Sequence, residues 1–228
     1  MTTPERKAAP SAPIRVVVVD DQELFVYGMR MLIESQPDLD FAGSSTDGAE
    51  AVRLVAETRP DVVLMDIRMP VMNGIEATHR ITCAAGRGEG PRVVVLTTFQ
   101  QEEAVFQSMK HGASAFVTKD ATPELLLETI RSVHAGDAPP SELAELVKRY
   151  VAPAEVAAPE ESIAGLTPRE REIFLLAAKG LRNSEIAAAA FVSEATVKTH
   201  IRSILAKLGL ETRAQIVVHA YENRLLSF

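Results

Sequence analysis

Up to about residue 135, apolar residues fall into five short unbroken runs, each followed by a stretch in which apolar positions recur every three or four residues. The runs are Ile14–Val19, Leu39–Gly43, Val62–Met65, Val93–Leu96 and Ala115–Val117. They are brief, rich in β-branched residues and do not alternate with polar ones, as strands buried on both faces of a parallel sheet require. The intervening stretches predict helices near Glu23–Ser35, Gly48–Thr58, Gly74–Thr82, Glu102–His111 and Pro123–Ala135. Asp47 with Glu50 has capping-box spacing, and Thr122 before Pro123 pairs an N-cap with proline at the first helical position. Gly112 and Gly136 are placed to close helices. Five strand–helix units predict a doubly wound α/β domain over residues 14–136 with a five-stranded parallel sheet.

The pattern changes after residue 136. Ser141–Val151 predicts a short helix with Leu143, Leu146 and Val147 on one side. Ala152–Ser162 (APAEVAAPEES) has almost nothing to bury and two prolines, so residues 137–164 predict a linker carrying one short helix. Residues 165–228 then predict a small all-α domain of four helices. Thr167-Pro168-Arg169-Glu170 is a capping box with proline at the first position, and Gly180 ends that helix. A short helix Asn183–Ala190, the turn Phe191-Val192-Ser193 and a longer helix Glu194–Leu208 closed by Gly209 form a helix-turn-helix order, with a last helix from about Thr212 to Asn223.

Charge sharpens this division. From Gly165 onward nine Lys/Arg face six Glu, whereas the preceding residues carry 15 basic and 25 acidic side chains within a chain of net charge −7. An acidic first part joined to a mildly basic second part confines polyanion contact to the second. No run approaches the ~18 apolar residues of a membrane span. Residues 1–13 lack an apolar core, so they predict a disordered tail rather than a signal peptide. One cysteine, Cys83, allows no internal disulfide and fits a reducing cytoplasm.

In an open parallel sheet ligands bind beyond the carboxyl ends of the strands. The first strand runs into Asp20-Asp21, the third into Asp66, the fourth into Thr97, and Lys119 follows the fifth. A single Asp after a strand is usually a turn or cap residue, but five such residues on four strands form a chemical set. Converging carboxylates raise one another's pKa. A hard divalent cation relieves that repulsion, and an oxygen-only donor set suits Mg2+. Asp66 is then positioned as a nucleophile able to take a phosphoryl group.

Asp20-Asp21, the run LMDIRMPVMNG around Asp66, Thr97 and Phe116-Val117-Thr118-Lys119 resemble the response-regulator receiver domain of two-component systems over Ile14 to Gly136. The resemblance implies a flavodoxin-like fold, phosphorylation of Asp66 by a sensor histidine kinase, and Mg2+ held by Asp20, Asp21, Asp66 and the Arg68 backbone carbonyl. It also implies phosphoryl contacts from Thr97 and Lys119, and a switch pair of Thr97 with Phe116. Asn73 stands where many relatives carry Asp.

On Glu194–Leu208, Val197, Ile201, Ile204, Leu205 and Leu208 share one face, which turns Lys198, Thr199, Arg202 and Ser203 outward. In a helix-turn-helix protein this helix enters the major groove, where Lys and Arg reach guanine and the Thr methyl meets thymine. Lys207 and Arg213 are placed for phosphates. The segment GLTPREREIFLLAAKGLRNSEIAAAAFVSEATVKTHIRSILAKLGLETRAQ resembles the LuxR-type DNA-binding domain, with Ala189-Ala190 where Arg-Leu is common. Together the two resemblances imply a NarL/FixJ-family response regulator. Such a protein binds promoter DNA, dimerises when phosphorylated, has RNA polymerase as a further partner, and is no enzyme beyond slow loss of its own phosphoryl group.

Two other readings compete. A phosphatase acting through an aspartyl phosphate needs a second Asp two residues after the nucleophile, but Gln22 follows Asp20 at that spacing and Arg68 follows Asp66. A constitutive DNA binder would leave the acidic pocket unused. The flexible linker and the opposite charges of the two parts further predict that the receiver can fold back over Lys198.

Overall fold

The computed structural model describes residues 12–85, 90–98, 101–137, 147 and 159–226. Five strands, β1 (Ile14–Val19), β2 (Leu39–Ser45), β3 (Val62–Asp66), β4 (Arg92–Thr97) and β5 (Ala115–Thr118), form one parallel sheet in the order β2-β1-β3-β4-β5. Strands β2 to β5 extend one or two residues beyond the apolar runs. Ladder hydrogen bonds carry each strand past its last buried hydrophobe and bring Asp66 and Thr97 into the sheet.

Helices α1 (Glu23–Glu34), α2 (Gly48–Thr58), α3 (Gly74–Ala85), α4 (Glu102–Lys110) and α5 (Pro123–His134) connect the strands. Side chains alternate between the sheet faces, so Val17, Val63 and Val95 pack with α2, α3 and α4, while Val16, Leu64 and Val94 pack with α1 and α5. The predicted caps are present. Asp47 accepts from the Ala49 and Glu50 N–H groups at 2.7 and 2.9 Å, and Thr122 from Leu125 N–H at 3.3 Å.

The second domain holds α6 (Pro168–Ala178), α7 (Asn183–Ala190), α8 (Glu194–Leu208) and α9 (Arg213–Glu222). Its core gathers Ile173, Phe174, Ile186, Val197, Ile201, Ile204 and Ile216, with Leu205 and Leu208 half-buried against it. Ala190 is buried, and its carbonyl accepts a hydrogen bond from Arg169. Within the stretch read as linker, Pro159–Ile163 forms a 3-10 helix, because Ile163 and Leu166 are apolar anchors for the domain core. The predicted tail over residues 1–11, the predicted helix Ser141–Val151 apart from Val147, and residues 152–158 lie outside the described residues.

The two domains pack together through α9. Ala214, Val217, Val218 and Tyr221 join the buried cluster that contains Val105, Phe106 and Met109 of α4. Polar contacts border this seam. Thr212 Oγ1 donates to the Ala113 carbonyl at 3.2 Å, Gln215 Nε2 to the Lys110 carbonyl at 3.0 Å, and Lys110 pairs with Glu222 at 2.7 Å. A second contact joins α7 to the end of α5, where Asn183 N–H donates to Asp137 at 2.9 Å and Arg182 meets Glu128 at 3.0 Å. Val217→Glu would bury a charge in the apolar part of the seam. We expect an increased radius of gyration in small-angle scattering with helix content unchanged; an unchanged radius would show that the seam does not hold the domains together.

Candidate functional site

The order in which strands are added reverses between β1 and β3, and at this switch point the carboxyl ends of two adjacent strands open a crevice. Asp20 follows β1 and Asp66 ends β3, which sets the two carboxylates side by side. Asp20 and Asp66 are buried and Asp21 is exposed; one carboxylate oxygen from each lies within 4.8 Å of the others. Lys119, half-buried after β5, supplies the opposing charge, with its Nζ 2.7 Å from Asp20 Oδ2 and 3.0 Å from Asp66 Oδ1. The same ammonium lies 5.0 Å from the centre of the Phe25 ring, a cation–π position.

The two Asp20 oxygens differ. Oδ1 accepts from the Gln22 N–H at 3.0 Å, which fixes the carboxylate at the start of α1. Oδ2 touches Lys119 without an aligned hydrogen bond and so keeps acceptor capacity although it is buried. Burial pushes the Asp66 carboxyl above the usual carboxylate range, helped by the Asp20 charge and opposed by the Lys119 hydrogen bond. Burial also works against the Lys119 ammonium, but the adjacent Asp20 and Asp66 carboxylates outweigh that and raise its pKa. Among the described residues these three carboxylates share the single ammonium of Lys119, and their hard oxygen donors fit Mg2+.

The loop after Asp66 is tightly constrained. Gly74 N–H donates to the Ile67 carbonyl at 2.9 Å, and a side chain at Gly74 would bring Cβ within 2.0 Å of the Asp66 carbonyl oxygen. Only glycine lets α3 begin so close to the acidic strand end. Val71 adopts φ +63°, a conformation costing a residue other than glycine about 1–3 kcal/mol. Asn73 caps α3, its Oδ1 accepting from Glu76 N–H at 3.0 Å. Arg68 is exposed in this loop.

Thr97 and Phe116 stand on adjacent strands two residues out of register, where Val95 pairs with Phe116 and Thr97 with Thr118. The Thr97 hydroxyl is buried and donates to the Thr98 carbonyl at 3.0 Å, while the Phe116 ring is half-buried against the cluster shared by α4 and α9.

On α8, Lys198, Thr199 and Arg202 are exposed, and the Thr199 hydroxyl donates to the Ala195 carbonyl at 3.0 Å. Ser203 and Lys207 differ from the other predicted DNA-facing residues. Ser203 Oγ donates to Glu170 Oε1 and Lys207 Nζ to Glu170 Oε2, both at 2.6 Å. Glu170, 5% exposed, also accepts from the Thr167 N–H at 2.8 Å, which completes the α6 capping box. The Lys207 bond above all, then Ser203 and the Thr167 backbone, lowers its carboxyl to about 2.

The family model described as "Response regulator receiver domain" matches residues 16–131, and that described as "Bacterial regulatory proteins, luxR family" matches residues 164–220. The chain belongs to the NarL/FixJ family of response regulators. It is 38% identical over 216 residues to the transcriptional regulatory protein LiaR of Bacillus subtilis, covering 94% of this chain and all of LiaR. It is 33% identical over 213 residues to the nitrate/nitrite response regulator NarL of Escherichia coli K12, covering 93% of this chain and 97% of NarL. Among solved structures, the response regulator ChrA of a heme-sensing two-component system superposes with TM-score 0.51 at 30% identity, covering 95% of this chain and all of that one. A LuxR-family regulator from Aurantimonas gives TM-score 0.55 at 33% identity, covering 62% of this chain and all of that one. This response regulator therefore joins a receiver to a LuxR-type DNA-binding domain. Among its described residues, no helix is long and apolar enough to cross a membrane.

Because the Glu170 pKa is depressed, its stabilisation is fully present above about pH 4.5 and is lost as pH falls toward about 2. We expect Glu170→Gln to cost about 1–3 kcal/mol near neutral pH, with the gap to wild type closing below pH 4.5. Denaturant unfolding at several pH values checks this; a gap that stays constant down to pH 3 would contradict it.

Proposed function

We propose that this protein is a phosphorylation-switched transcription factor: Asp66 accepts a phosphoryl group from a sensor histidine kinase, and the receiver then releases the LuxR-type domain to bind promoter DNA as a dimer. The observation that carries the reading is the set Asp20, Asp21, Asp66 and Lys119 at the sheet's switch point. Asp20, Asp21, Asp66 and the Arg68 carbonyl would hold Mg2+, which when bound supplies charge neutralisation for the incoming phosphoryl oxygens.

An Asp66 carboxylate oxygen forms the new O–P bond as the N–P bond of the phosphohistidine breaks. The imidazole leaves with the electron pair and takes its proton from solvent. Phosphorylation adds about −1.5 to −2 charges and strong acceptor oxygens. Lys119, already 3.0 Å from Asp66, neutralises one of these oxygens. The Thr97 hydroxyl exchanges the Thr98 carbonyl for another, and the half-buried Phe116 ring moves into the space Thr97 vacates. Slow hydrolysis of the acyl phosphate by water resets the switch.

A docking face for the kinase lies beside this pocket. Leu24, Tyr27 and Met31, spaced one helical turn apart on α1, are 84%, 61% and 58% exposed, and Val71 in the β3–α3 loop is 88% exposed. Exposed apolar side chains grouped on one side of a site mark a protein partner.

DNA contact falls to α8, with Lys198, Thr199 and Arg202 reading base edges. Ser203 keeps α8 in place through Glu170, and Lys207 reaches a phosphate only by leaving that carboxylate. α9 is packed against α4, and in the proposed switch this packing belongs to the closed form and keeps α9 from pairing with a second copy. RNA polymerase is the further partner once the dimer sits at a promoter.

Asp66→Asn should take up no phosphoryl group from a cognate kinase or a small phosphodonor, read by phosphate-affinity electrophoresis; labelling at the wild-type level would refute the acceptor assignment. Lys198→Ala should weaken binding to the target duplex about tenfold or more and reduce the slope of log affinity against log salt by about one. An unchanged affinity and slope would remove Lys198 from the interface.

A further inference from the structure

We propose that the cleft between the two domains is a binding site for a small phosphate-class anion, and that the bound anion holds the DNA-facing side of α8 against the receiver. The proposal rests on the reading of α8 as the DNA-contacting helix. The cleft encloses about 250 Å³ and is lined by Arg92 and Ser114 from the receiver and by Lys198, Arg202 and Arg213 from the DNA-binding domain. Two carboxylates, Asp137 and Glu211, also line it. Asp137 already accepts from the Asn183 N–H and lies near the Arg213 guanidinium. The four Lys and Arg side chains therefore leave a net positive charge in the space.

Two side chains point to a ligand. The Ser114 hydroxyl is buried, its residue only 8% exposed, and has no hydrogen-bond partner among the described residues. Leaving a buried hydroxyl unpaired is unfavourable, so its place in the wall of a polar cleft indicates an acceptor that occupies the cleft. Arg92 is half-buried at the start of β4, and burial pushes its guanidinium below its ordinary range. Arg213 is tied down by bonds to Asn183 Oδ1 at 2.6 Å and to the Leu181 carbonyl, so it presents a fixed guanidinium to the cleft.

The donor set selects the ligand class. Three guanidinium groups, one ammonium and a hydroxyl offer more donors than the two oxygens of a carboxylate can accept, whereas a phosphate presents three or four oxygens. Size excludes large ligands: pockets for drug-sized molecules run about 300–1,000 Å³, so this cleft suits orthophosphate, pyrophosphate or a small phosphate monoester and not a dinucleotide. The anion would touch both domains, including the side chains that face DNA, so anion and DNA compete through the closed form. By linkage, an anion present at ten times its dissociation constant weakens DNA binding about tenfold.

Calorimetric titration of the full chain with pyrophosphate tests the site, without magnesium and at constant ionic strength set with chloride. We expect saturable one-to-one binding by wild type, weakened about tenfold or more in Arg92→Gln and several-fold in Ser114→Ala, with the thermal midpoints of both variants matching wild type in the absence of anion. Ser114→Ala removes one oxygen and decides the matter if Arg92→Gln folds poorly. In a duplex-binding assay, pyrophosphate should raise the apparent DNA Kd of wild type about tenfold and that of Arg92→Gln far less, their anion-free affinities being equal. Absence of saturable binding, or binding that neither substitution weakens, would overturn the site. Anion binding that leaves DNA affinity unchanged would overturn the coupling. A protein that binds no DNA in any state would sink the reading of α8 and still leave the calorimetric result to decide the anion site.

Discussion

Crowded negative charge at the end of the sheet is the constraint on which the rest of this structure depends. Parallel strands in the order β2-β1-β3-β4-β5 place the ends of β1 and β3 next to each other, and both ends carry buried carboxylates. Burial alone raises the energy of the ionised Asp66, and the Asp20 charge raises it further. Lys119 offsets part of this repulsion, but one ammonium cannot neutralise three acids. The local geometry serves the same end: Gly74 allows the chain to turn against the Asp66 carbonyl, and Val71 holds a backbone conformation that β-branched residues avoid. Strain of this kind persists where surrounding structure enforces it, and sites of chemistry are where it collects.

The residue proposed to follow Thr97 in the switch borders the packing that joins the two domains. Phe116 lies against the same buried cluster that contains Met109 of α4 and Val217 of α9. Under the proposed function the element that changes state is the α4–α9 seam, a mixture of apolar packing and a few exposed polar bonds such as Lys110–Glu222. Exposed ion pairs contribute about 0–1 kcal/mol each, so most of the adhesion comes from the buried side chains of α9.

Much of this was legible in the sequence because it is local. Unbroken β-branched runs fixed the strands to within one or two residues, and Asp47, Thr122 and Thr167 cap the helices their spacing predicted. The acidic set was legible because a parallel sheet dictates where strand ends converge. Tertiary partnerships were not. Helical spacing turns Ser203 and Lys207 outward, but Glu170, already used as a capping residue 33 and 37 positions earlier, reaches across from α6 to accept from both. The only local hint was a carboxylate on the first turn of a neighbouring helix. The seating of α9 on α4 carries no local signal either, since a helix apolar on two sides reads as one buried in its own domain. Arg92 looks like an ordinary charge at a strand start, and only the meeting of the two domains places it in a cleft.

In the proposed switch, charge at Asp66 controls whether the second domain is free. Amide hydrogen exchange of the full chain, with magnesium alone and with magnesium plus beryllofluoride as a phosphoryl mimic, tests it most directly. Beryllofluoride should lower protection across Arg213–Glu222 in wild type, with no change in an Asp66→Asn variant. Equal protection of α9 in the two conditions, in a protein shown to have bound beryllofluoride, would contradict it.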